Sequence, residues 1–137
     1  MTFAEILELH PKPWGIDRST MLRCIQECID CLASCTACAD ACLSEEDLSS
    51  LVRCIRLDLD CADVCASTER VLIRQTEPNT RLVWTTVEAC AAACGACAEE
   101  CERHAAHHEH CRLCAEVCRR CKAACEALLM ALPPFHL

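Results

Sequence analysis

The chain has 137 residues, the length of one domain. Its net charge of −8 excludes the basic surface that a nucleic-acid partner requires. Eighteen residues are cysteine, about 13%, and without them the 53% hydrophobic share falls to about 40%, too little for an ordinary aliphatic core.

Residues 1–10 read as a short helix, broken by Pro11, Pro13 and Gly15. The opening MTFAEILELHPKPWG has no basic n-region, and Glu5, Glu8 and His10 interrupt its apolar residues, so no secretory leader is expected. No stretch approaches the ~18 apolar residues of a membrane span, and no membrane partner is expected. The protein is read as cytoplasmic. Thiols stay reduced there, and many cysteines then favour metal over disulfide.

A first long helix starts at an Asp17 or Ser19 cap and runs to about Leu43. Ser44-Glu-Glu-Asp47 has the spacing of a capping box, with Asp at the last position, and predicts a second helix from there to about Gln75. Glu77-Pro-Asn-Thr80 is a break with a new cap at Asn79 or Thr80, and a third helix follows to about Arg103. A fourth spans about Glu109 to Ala131 and stops at Pro133 and Pro134. The segment Arg103–His110 holds neither Gly nor Pro, yet a turn is placed there. A single rod of about fifty residues would leave its thiol stripe without facing partners. Nothing alternates as a strand would. The expectation is an all-α, antiparallel four-helix bundle over 17–132, with an N-terminal segment at 1–16 and a tail at 133–137.

The cysteines mark the inward face of every helix. The first helix carries Cys24, Cys28, Cys31, Cys35, Cys38 and Cys42, with steps of 4, 3, 4, 3, 4. The second carries Cys54, Cys61 and Cys65, with steps of 7 and 4. The third carries Cys90, Cys94, Cys97 and Cys101; the fourth carries Cys111, Cys114, Cys118, Cys121 and Cys125. Residues three and four apart share one helix face, and this is the a/d seam of a bundle. The face that usually carries Leu carries sulfur.

One free Cys is usually a small core hydrophobe. Eighteen in register are not explained that way, because Ala, Val or Leu would fill the seam without oxidation. Neighbours along one stripe are badly placed for disulfide geometry. Metal remains. Thiolates are soft and select Cu(I), Zn(II) or iron–sulfur clusters. A Cys-x-x-x-Cys pair suits Cu(I), which accepts two or three thiolates. Zn(II) wants four in a tetrahedron, and three cysteines on the second helix make full tetrahedral layers hard to repeat. No ferredoxin-type cysteine run is present. His107-x3-Cys111-x2-Cys114 resembles the zinc motif of certain anti-sigma factors, and motivates an alternative as a zinc-sensing or thiol-redox regulator. A zinc or other soft-metal reservoir is a further alternative.

The stripe continues into imidazoles: His104 and His108 follow Cys101 by 3 and 7, His107 precedes Cys111 by 4, and His110 adjoins it. Imidazole is of intermediate softness, and these four read as a metal entry at one end. At the other end the stripe turns apolar, with Val83, Trp84, Val87, Leu128, Leu129, Leu132, Val71, Leu72 and Ile73, and Met21 reads as packing. A closed base and an open mouth result. Ile25, Ile29, Leu32, Ala39 and Leu43 form a second apolar stripe, which widens the core face or makes an oligomer interface. No nucleophile is paired with an oriented base, so a binding protein is expected rather than an enzyme.

Over about residues 20–130, the four-stripe register resembles the bacterial copper storage proteins, cysteine-lined four-helix bundles, and most of all their cytosolic branch. The resemblance implies several Cu(I) ions per chain, held by intrahelical pairs: Cys24/Cys28, Cys31/Cys35, Cys38/Cys42, Cys61/Cys65, Cys90/Cys94, Cys97/Cys101, Cys114/Cys118 and Cys121/Cys125. It also implies homo-oligomers, often tetramers. Cys54 lacks such a partner, since position 58 is Asp58.

Overall fold

A computed structural model describes residues 2–134; of the tail, 135–137 lie outside the described residues. Five α-helices follow in order: α1 Thr2–Glu8, α2 Arg18–Leu43, α3 Val52–Ile73, α4 Thr80–His104 and α5 Glu109–Ala131. Helix α2 packs against α3 and α5, and α4 packs against the same two, so α2–α5 form a square bundle. Cys24 meets Cys125 near one end of α2, and Cys38 meets Cys111 near the other, so α2 and α5 run antiparallel. Cys65 with Cys90 and Cys54 with Cys101 give the same sense for α3 and α4.

The helix starts follow from their caps. The Asp17 carboxylate accepts the Thr20 N–H at 3.1 Å and opens α2. The Asn79 side-chain oxygen accepts the Leu82 N–H at 2.9 Å and opens α4. Each satisfies a donor the first helical turn would leave unpaired. The expected turn between the third and fourth helices is present at Ala105–His108.

The second long helix begins later than the sequence predicts. Ser44 closes α2, its N–H donating to the Ala41 carbonyl at 3.1 Å while the Glu45 N–H donates to the Cys42 carbonyl at 3.2 Å. Leu48–Ser50 make one turn of 3-10 helix, and α3 starts at Val52. Asp47 precedes the 3-10 turn without a side-chain capping bond, its carboxylate being engaged by Ser50 Oγ at 3.1 Å and by His108 Nε2 at 2.9 Å. Leu51, wholly buried, anchors this crossing.

The two ends of the bundle differ. At the base, Met21, Leu72, Val83, Val87, Leu128 and Leu132 are buried together. The N-terminal segment folds over them, with Phe3, Leu7, Trp14 and Ile16 half-buried on the core. The buried Gln75 side chain pins it there. Its Nε2 donates to the Leu72 carbonyl at 2.8 Å, and its Oε1 accepts the Trp14 N–H at 3.1 Å. Above the base the core is sulfur.

Candidate metal centre

All eighteen cysteines are buried and unbonded to one another. Their seam register places them along the bundle axis, and facing stripes bring sulfurs into contact across helices. Cys28 Sγ lies 3.8 Å from both Cys90 Sγ and Cys121 Sγ. Cys31 Sγ lies 3.8 Å from Cys35, Cys61 and Cys118. Cys35 Sγ lies 3.5 Å from Cys118 Sγ and 3.8 Å from Cys114 Sγ. Within single helices, Cys31/Cys35 and Cys61/Cys65 stand at 3.8 and 4.0 Å. A thiolate binds zinc at about 2.3 Å, so two sulfurs on opposite sides of an ion of that size stand about 4.6 Å apart. The observed separations fall somewhat short of that spacing.

Sets of ligand atoms within 4.8 Å of one another follow up the axis: Cys28/Cys90/Cys121/Cys125, Cys31/Cys65/Cys94/Cys121, Cys31/Cys35/Cys61/Cys118, Cys35/Cys97/Cys114/Cys118 and Cys38/Cys42/His110/Cys111. Cys31, Cys35, Cys118 and Cys121 each belong to two of these five sets. One sulfur can therefore bridge two ions, and the four all-cysteine sets form a chain of linked sites, with the His110 set sharing no ligand with them. Every set draws on at least two helices.

The thiols condition one another's ionisation. Burial resists every thiolate, while an S–H from a neighbour stabilises it. Cys24 is held below the ordinary thiol range, first by Cys125, and Cys54 likewise, first by Cys101. Cys28 is pushed up, first by Cys121, and Cys35 first by Cys114. The network thus favours the thiolate at some sulfurs and the thiol at their neighbours. A soft cation replaces those protons, since metal binding deprotonates its thiols.

Asp58 stands among the thiols with no accessible surface. Its Oδ1 accepts from Cys97 Sγ at 3.0 Å, Cys114 Sγ at 3.4 Å and Cys101 Sγ at 3.5 Å. Burial above all pushes its carboxyl up to about 8. The step from Cys54 through Asp58 to Cys61 and Cys65 is 4, 3, 4. The seam on α3 is therefore continuous, with oxygen at one rung. That spacing was the signal available in the sequence.

The four histidines at the other end have different settings. His110 Nε2 lies 2.9 Å from Glu45 Oε2, and its Nδ1 lies 3.4 Å from Cys38 Sγ and 3.6 Å from Cys111 Sγ. A carboxylate on Nε2 fixes the tautomer and leaves the Nδ1 lone pair facing the thiols, the usual support for a metal-binding imidazole. His108 meets carboxylates at both nitrogens, Glu45 at 2.6 Å and Asp47 at 2.9 Å. Asp47, then Glu45, holds its pKa above the ordinary imidazole range. His104 Nε2 is paired with Glu100 Oε2 at 2.9 Å. His107 is exposed on the turn. Glu45 and Asp47 were not legible as site residues, because their segment reads as a helix start. Only the bundle brings the α2–α3 crossing beside the α4–α5 turn.

A four-helix bundle with a continuous, linked series of sulfur donors along its axis is a multi-ion soft-metal protein. Residues 17–130 match the family model for copper storage proteins, and the chain belongs to that family. It is similar to the Streptomyces lividans copper storage protein Ccsp, in a structure loaded with 10 copper equivalents. Identity there is 50%, with 95% of this chain and 99% of that one covered and a TM-score of 0.93. A structure described as a cytosolic copper storage protein from the same organism, with five coppers, is 54% identical over 85% of this chain and 98% of that one, with a TM-score of 0.84. The Cu(I)-bound BsCsp3 of Bacillus subtilis is 36% identical over 80% of this chain and 98% of that one, with a TM-score of 0.71.

Proposed function

We propose that this protein stores Cu(I), holding many ions per chain on the thiols of its bundle core and so buffering or detoxifying the metal. The observation that carries this is the series of four all-cysteine sets, which share sulfurs from one to the next. Shared sulfurs suit an ion of low coordination number. The relatives with copper in their structures support the same ion. The eighteen cysteines are the ligands in this reading, with His110 as an imidazole ligand at the histidine end. His104, His107 and His108 line the approach at that end and exchange the ion in transit. The role is binding, without catalysis. A cytosolic location follows the Streptomyces relative, and no helix among the described residues is long and apolar enough to cross a membrane. A homo-oligomer, such as a tetramer, is part of this proposal.

Zinc is the second reading, because sets such as Cys28/Cys90/Cys121/Cys125 supply the four sulfurs it prefers. The regulator reading is weaker: His107 is exposed, whereas Cys111 and Cys114 are buried.

Anaerobic titration of the reduced protein with Cu(I) tests the proposal. If each ion takes two thiolates of its own, eighteen cysteines hold about nine ions; if each thiolate bridges two, about eighteen. Saturation between about nine and about eighteen is expected. Saturation at one to four copper ions, with tight zinc filling the remaining thiols, would establish the zinc reading instead.

A further inference from the structure

Sixteen of the eighteen cysteines have no accessible surface at all. The exceptions are Cys38, 3% exposed, and Cys114, 2% exposed. Both open on one groove of about 360 Å³ along the seam of α2 and α5. This is the flank of the bundle, below its histidine end. The thiols nearest that end, Cys42 and Cys111, are wholly covered.

The groove exists because its α2 wall is made of Ser34, Ala37 and Ala41, side chains too short to bridge two helices. Leu113 and Val117 form the α5 wall. One boundary lies where Arg120 reaches Asp30 at 3.2 Å and Glu27 at 3.5 Å. The other is His110, held by Glu45. At the floor the two thiols lead to different donor sets. Cys38 belongs with Cys42, His110 and Cys111, and Cys114 with Cys35, Cys97 and Cys118. An ion entering only at the histidine end must cross the first set to reach the second. From the groove, both are one step away.

Resting on the copper-storage reading, we propose that this α2–α5 groove is a side portal at which Cu(I) bound to small thiol carriers passes to Cys38 and Cys114. The walls suit such a carrier, with Leu113, Val117 and the alanines offering apolar contact for its methylene groups. The step is ligand exchange at constant oxidation state. A Cys38 or Cys114 sulfur forms a bond to Cu(I), one carrier sulfur–Cu(I) bond breaks, and the cysteine proton leaves on the released carrier as a free thiol. Repetition with a second protein thiol frees the second carrier.

Two measurements on the full-length protein test this. In the first, folded, reduced apo-protein is treated with limiting iodoacetamide and its peptides are mapped by mass spectrometry. Cys38 and Cys114 are expected to be labelled before the other sixteen. First labelling at Cys42 or Cys111 would place access at the histidine end, and one common rate would mean global opening; either overturns the portal. Protection of Cys38 and Cys114 would mean that a second copy covers the groove, which also overturns it. In the second, Ala37→Leu fills the groove from its exposed wall, with Ala96→Leu on exposed α4 as the control. Uptake from Cu(I) complexed by excess glutathione should slow roughly tenfold in Ala37→Leu, with final capacity unchanged, and stay at the parent rate in the control. Equal rates at full capacity overturn the portal and leave storage standing. Low capacity in the parent itself overturns storage.

Discussion

Asp58 puts a titratable oxygen inside a sulfur core, and its effect on the apo-protein has a definite sign. An exposed aspartate in the unfolded chain titrates near about 3.9, whereas burial pushes the folded group up to about 8. Between those values the folded state binds more protons than the unfolded one, so stability falls as pH rises. The loss is complete only above the folded value. Asp58→Asn keeps the shape and removes the titration. The variant apo-protein should lose most of the stability decline between pH 5 and pH 8, and at pH 8 should exceed the parent by up to about 4 kcal/mol. Denaturant unfolding at several pH values, under reducing and metal-free conditions, measures this; parallel pH profiles for the two proteins would refute it. At this scale the thiols were fully legible in the sequence, since a cysteine on a 3/4 seam can only face the core. The carboxylates were not. Asp58 occupies a rung that reads as a gap among cysteines, and Glu45 and Asp47 gain their meaning from His110 and His108, more than 60 positions away in the chain.

The helices are set by simple local rules, and one of them is slightly under-optimised. Gly95 lies inside α4, where a residue without a side chain costs about 1 kcal/mol relative to Ala. A Cβ there would stand 3.2 Å from Lys122 Cε and 3.4 Å from Cδ, and nothing else crowds it. The lysine is the flexible, partly exposed end of an ion pair with Glu126, and it can move aside. Gly95→Ala should therefore stabilise the apo-protein by about 0.5–1 kcal/mol, read as a rise in thermal midpoint; a fall would show that Lys122 is fixed against α4. By contrast, Asn79→Ala removes the side-chain cap of α4 and should cost about 1 kcal/mol. The fold was legible at this level because caps, breakers and the seam agree for α2 and α4, while the start of α5 followed from the need of its thiol stripe for facing partners and its end from Pro133. The start of α3 was not. Ser44-Glu-Glu-Asp47 has a helix-start pattern, but Asp47 is drawn to His108 by the tertiary fold, and burial of Leu51 sets where the helix begins.

The molecule as a whole is polarised along its axis. Apart from Leu51 at the histidine end, its large buried aliphatic side chains gather toward the base, where the N-terminal segment adds Trp14 and Ile16. Full burial of such a side chain contributes about 1.5–3 kcal/mol. The remaining length of the core is filled by cysteine, a smaller hydrophobe whose neutral thiols still pack. The bundle should thus fold without metal, held most firmly at its base. Zinc fingers differ, because little besides the ion holds them together. Two consequences are measurable. Far-UV circular dichroism of the reduced apo-protein should already show the helical fold and change little on copper loading. Amide hydrogen exchange should be slowest around Leu72, Val83, Val87 and Leu128 in the apo-protein, and faster around Cys54, Cys97 and Cys111. Copper should then slow exchange mainly in the faster half, because each ion ties sulfurs from at least two helices where aliphatic packing is thin. Uniform protection in the apo-protein would contradict the polarity. A large gain of helix on loading would show instead that the metal builds the fold rather than filling it.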